Sequence, residues 1–123
     1  MKLKDILVIN NAIRVLMDSN DIQLDASIKF KMLTILKQCS SHVENFESLR
    51  NEKIQEYGSK DDDGNYTIAK DDVVALRRFS SDINELAQTD VDINLQKIKA
   101  NEIMKYSIPS AILVDLYDVI EED

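Results

Sequence analysis

A chain of 123 residues that is 44% apolar and 31% charged is long enough to bury its own core and too apolar to stay disordered. Its two glycines and one proline argue against a sandwich or barrel of many short strands and for long helices in one helical domain spanning residues 1–123. A net charge of −8 repels phosphate backbones and anionic lipid, so neither direct nucleic-acid binding nor membrane binding is expected.

The first helix is expected over residues 5–18, with Asp5 at its start, where a carboxylate meets unsatisfied N–H groups. Ile6, Ile9, Ile13 and Leu16 make its apolar stripe, widened by Leu7 and Met17. Asp18-Ser19-Asn20-Asp21 ends it, and Ile22 and Leu24 alternate with polar neighbours in an extended connector.

Asp25 suits the N-cap of a second, much longer helix. Ile28, Met32, Ile35, Cys39, His42, Phe46 and Leu49 follow at alternating steps of four and three, and Leu33, Leu36, Val43, Ile54 and Tyr57 lie beside them. No glycine or proline interrupts residues 25–57, which predicts a helix about 50 Å long. A seam of that length calls for a partner helix along its side. Apolar density thins after Leu49, so the distal end is expected to project from the body or to meet another subunit.

Gly58 reads as a helix stop in the left-handed conformation. Asp63-Gly64 is the strongest hairpin-turn signal in the chain. Tyr66 and Ile68 then suit a short strand. Asp71 and Asp72 favour the start of a third helix, whose Leu76, Phe79, Ile83 and Leu86 make an antiparallel partner for the long one. Val91, Ile93 and Leu95 alternate with polar residues as a strand that would pair with residues 65–68 in a small ribbon. Residues 96–106 read either as a loop or as a short helix. Pro109 suits the first turn of a last helix with Ile112, Leu113, Leu116, Tyr117 and Ile120 on its apolar face, fraying at Glu121-Glu122-Asp123. The fold class expected is mainly α: an antiparallel long-helix hairpin with additional short helices and a small β-hairpin or ribbon.

Candidate chemistry is sparse. A calcium loop with Gly64 at its sixth place would take Ser59, Asp61 and Asp63 as ligands, but Lys70 stands at the twelfth, where a chelating glutamate belongs. Cys39 and His42 are one helical turn apart but lack a third group to orient them, and their place in the stripe favours packing. Two glycines cannot build a phosphate-cradling loop. No metal, cofactor or catalytic residue is expected, and no enzyme activity. Arg77-Arg78 and the loose group Lys97, Lys99 and Lys105 lack interleaved aromatics and read as charge balance. Met32, Phe30 and Phe46 read as core or subunit contacts. Cys39 excludes an internal disulfide and suits a reducing compartment. Met1-Lys2-Leu3-Lys4-Asp5 does not open a secretory leader, and no stretch approaches the ~20 apolar residues of a membrane span.

The opening Lys2-Leu3-Lys4, the run from Arg50-Asn51-Glu52-Lys53-Ile54-Gln55-Glu56 into Tyr57-Gly58, Lys60-Asp61-Asp62-Asp63-Gly64-Asn65-Tyr66 and Ile108-Pro109-Ser110 together resemble a family of small uncharacterised proteins of tailed phages and prophages of Gram-positive bacteria. The Tyr-Gly-x-Lys-Asp-x-Asp-Gly-Asn run is the distinctive part. The resemblance implies a phage origin and an all-helical body with a small β element; together with the single cysteine and the lack of a leader or span, the expected location is the cytoplasm of the bacterial host, with incorporation into the virion left open. It implies no activity and no catalytic residues.

Two functions follow as expectations. One is a self-associating structural or assembly factor, meeting itself or another phage or host protein through Phe46, Leu49, Ile54 and Tyr57, unless those residues pack against 72–88. The other is an acidic inhibitor of a host nucleic-acid-binding or anti-phage defence protein, with Asp61, Asp62, Asp63, Asp71 and Asp72 as its face. Charge is concentrated for that role: residues 1–57 carry eight basic and eight acidic groups, residues 58–96 four and nine, residues 97–123 three and six. Salt would separate the two, because charge-led binding weakens with ionic strength and apolar association does not.

Overall fold

The computed structural model describes all residues, Met1–Asp123. It is mainly α. Helix α1 (Leu3–Asp18) packs along the first half of α2 (Ala26–Tyr57), a helix of 32 residues. The hairpin of β1 (Ser59–Lys60) and β2 (Tyr66–Thr67) turns the chain back into α3 (Val73–Ala87), which lies against the second half of α2. After an extended stretch come β3 (Ile98–Lys99), α4 (Ala100–Ile103), α5 (Ser110–Asp115), a 3-10 turn (Tyr117–Val119) and β4 (Ile120–Glu121). The C-terminal segment packs back on α1, so the apolar core lies between α1, the first half of α2 and this returning chain.

The periodicity of α1 and α2 explains that core. Ile6, Ile9, Ile13 and Leu16 meet Ile28, Met32, Ile35 and Cys39, all fully buried, and Leu24, Leu95, Ile98, Ile103, Leu116 and Val119 close the cluster. Each buried aliphatic side chain stabilises the fold by about 1.5–3 kcal/mol over leaving it in water. α1 starts two residues earlier than the sequence suggested. Lys2 takes the cap position, and Asp5 lies in the first turn. Asp25 does stand at the N-cap of α2, but its side chain makes no capping bond. It pairs instead with Lys105 at 2.9 Å, while its backbone N–H donates to the Tyr106 hydroxyl.

Four local expectations are corrected. Gly58 is extended rather than left-handed (φ −102°), and it is glycine because space is short: a Cβ there would lie 2.5 Å from the Thr67 carbonyl oxygen and 2.6 Å from that of Ile54. The left-handed glycine is Gly64, at φ 83°, in the turn itself. The ribbon pairs β2 with β1, Ser59 opposite Thr67 and Lys60 opposite Tyr66, not with residues 91–95. That segment is extended but joins no strand ladder; at its end the Gln38 side chain brackets Leu95, the amide nitrogen donating to the Asn94 carbonyl at 3.2 Å and the amide oxygen accepting from the Gln96 N–H at 2.8 Å. At its beginning, the Val91 N–H donates to the Met1 carbonyl and the Leu3 N–H to that of Thr89, stitching the chain to its own start. Finally, the last helix stops at Asp115, Tyr117 stands exposed, and Glu121 is held in β4, which pairs in parallel with β3, Ile98 opposite Ile120, leaving Glu122 and Asp123 outside any element.

Candidate functional site

The second half of α2 carries Phe46, Leu49, Ile54 and Tyr57, the residues that the sequence offers as a partner surface. Its four candidate contacts do not form one face. Tyr57 points at α3, where its hydroxyl donates to the Asp82 carboxylate at 2.5 Å, and this bond raises the tyrosine pKa above its ordinary value. Lys53 reinforces the contact, 2.9 Å from Glu56 and 3.6 Å from Asp82. Phe46 and Ile54 are half-buried, and Leu49 is 41% exposed. The neighbouring Arg50 lies over the Phe79 ring, 5.8 Å from its centroid. α3 therefore covers much of the surface that the sequence left open, with polar and aromatic contacts rather than a buried core: Ala75 is its one buried residue.

The acidic tip is built by its own backbone needs. One Asp61 carboxylate oxygen accepts from the N–H groups of Asp63 (2.9 Å) and Asn65 (3.0 Å), an Asx-type turn that closes the hairpin loop. Asp72 caps α3, accepting from the Ala75 N–H at 3.1 Å. Asp62, Asp63 and Asp71 are exposed and make no ion pair within 4.0 Å. No group of three or more His, Cys, Asp or Glu side chains is placed to hold a metal ion.

Cys39 is fully buried, and burial pushes its thiol up to about 11, the opposite of an activated thiolate. Its neighbour on the stripe, His42, is half-buried. A groove of about 510 Å³ opens along α3 between Val73, Leu76, Arg77, Ser80 and Asn84, and Arg77 is its only charged side chain.

The most exposed apolar surface on α2 lies on the side away from the core. Phe30 is 72% and Leu33 53% exposed. Ala26, Phe30, Leu33 and Lys37 follow at steps of four and three, Glu44 and Asn51 continue the line at steps of seven, and every one of them is exposed. Sequence reasoning flagged Phe30 as a core or subunit contact but followed the inward stripe and missed that a second one runs opposite to it. The same step pattern carries both, and a polar content that rises toward the C-terminus hid the outer one. The Gln38 clamp and the Lys31–Glu102 pair (2.8 Å) were also missed, since their partners lie 56 to 71 residues away.

No protein-family model, no curated protein and no solved structure matches the chain. No helix is long and apolar enough to cross a membrane.

Proposed function

We propose that this is a non-enzymatic phage or prophage protein that works by protein–protein contact in the bacterial cytoplasm, self-associating as a structural or assembly factor. The reading of its origin rests on the distinctive run from Tyr57 to Asn65. The contact is carried by one observation: a helix of 32 residues whose outer side exposes Phe30 and Leu33 together. A phenylalanine left 72% in water stabilises nothing in the monomer, and covering it would stabilise a complex by up to about 2 kcal/mol. This moves the contact surface from Phe46, Leu49, Ile54 and Tyr57, which α3 partly covers, to the outer side of α2. Light scattering over a concentration series tests it. The molar mass should climb from 14.1 kDa toward twice that value, and a monomer at every concentration would contradict the reading.

A second reading, an acidic inhibitor of a basic host protein, is favoured by the exposed and unpaired Asp62, Asp63 and Asp71. It is the weaker one, because Asp61 and Asp72 are already engaged by local backbone N–H groups. A pull-down from host lysate at low salt should then recover a basic protein that D62N/D63N loses. Recovery of the same proteins by the variant would count against it.

A further inference from the structure

We infer that two copies of the chain pair through the outer side of α2, antiparallel, with Lys37 of each beside Glu44 of the other. The inference rests on the self-association reading above and assigns its face, direction and register.

The outer side of α2 is divided by charge. Its first half is basic, with Lys29 and Lys37, and its second half is acidic, with Glu44 and Glu47. None of these four makes an ion pair within its own chain, although Lys31 and Lys53 on the same helix do. Ser40 and Ser41 separate the two halves, and Ser48 lies within the acidic one; all three are small enough to leave room for close approach. Such a helix is complementary to its own reverse. Turning a second copy end for end about a point between Ser40 and Ser41 sets Lys37 against Glu44, twice by symmetry. It also places Phe30 and Leu33 over Asn51 and Ser48 of the other copy. Lys29 and Glu47 lie along one edge of the face, and the same reversal leaves them five residues, about 7.5 Å, apart along the axis, so that contact is looser than the one between Lys37 and Glu44.

Other pairings are worse. A parallel pair would set Lys37 against Lys37, Glu44 against Glu44 and Glu47 against Glu47. An antiparallel pair centred on Phe30 and Leu33 would shorten the overlap and crowd Lys29 and Lys37 of both copies. Like charges at neighbouring positions destabilise where opposite ones stabilise. A contact along residues 26–55, about 44 Å by the ~10 Å width of a helix, covers about 400 Å² on each copy. The total of about 800 Å² lies below the range of stable specific interfaces and fits a weak, transient dimer.

Charge exchange tests the register. All the altered positions are exposed, so the variants should keep the circular dichroism of the parent. By sedimentation equilibrium, K37E and E44K should each weaken association about tenfold or more, and K37E/E44K should recover to within about threefold of the parent. In a parallel pair K37E would exchange one like-charge contact for another and associate as the parent does. A parent dimer unaffected by K37E therefore overturns the face and register while leaving self-association standing. A parent that stays monomeric overturns both.

Discussion

The inner and outer sides of α2 carry the same heptad-like spacing and do different work. On the inner side, Ile28, Met32, Ile35 and Cys39 are fully buried against α1 and the returning C-terminal chain. On the outer side, Ala26, Phe30, Leu33 and Lys37 stand in solvent at equivalent steps. Spacing creates a stripe; only a neighbouring element turns a stripe into a core. The inner stripe stabilises the monomer, and the outer one is available to a second chain.

The largest effect that would sharpen this contrast is on the inner side. Met32→Ala removes a fully buried side chain and should cost about 2–5 kcal/mol in urea unfolding, depending on how far the site collapses. A cost below 1 kcal/mol would mean that the inner side is not the core.

Gly58→Ala probes the far end of the helix, where neither stripe decides. The added Cβ would meet two carbonyl oxygens at 2.5 and 2.6 Å, so the hairpin must shift. The expected loss is about 2 kcal/mol, with faster hydrogen exchange in α3 and little change in α1.

The pH dependence is smaller and also distinguishes regions. Lys105 beside Asp25, and Lys31 beside Glu102, hold both carboxyls below their usual range. Their contribution is present above the ordinary carboxylate pKa and is lost as pH falls through the lowered folded values. Tyr57, Lys53 and Lys105 are raised instead, by Asp82, Glu56 and Asp25 respectively. Their contribution is present below their ordinary values and is lost as pH rises through the raised ones. Acid should therefore loosen the core end through Asp25 and Glu102, while alkali reaches both ends. Melting curves of D25N/E102Q should lose less than the parent between pH 5 and pH 3, and parallel losses would remove these two pairs from the explanation.

Much of the fold was legible because it depends on local spacing. The inward stripes of α1 and α2, the Asp25 and Asp72 cap positions and the Asp63-Gly64 turn all follow from neighbours within a few residues. What was not legible depends on distant partners. Val91, Ile93 and Leu95 have the alternation of a strand, and nothing near them in sequence reveals that Val91 bonds Met1 and that Gln38 holds Asn94 and Gln96 instead. The pairing of Ile98 with Ile120 likewise has no local signature. At the candidate surface, Phe46, Leu49, Ile54 and Tyr57 were chosen because their helix outlasts its core. The sequence placed α3 beside them but did not show that Tyr57 would reach Asp82. Phe30 was flagged by its type, and its outward direction became visible only once the inner stripe had been placed.

The most direct test compares molar mass and stability in one pair of proteins. Phe30→Ser should unfold in urea within about 0.5 kcal/mol of the parent, since the ring is exposed in the monomer. In sedimentation equilibrium the parent should approach twice 14.1 kDa at high concentration while the variant stays near 14.1 kDa. A variant that associates as tightly as the parent would contradict the assignment of the outer side of α2 as the contact surface.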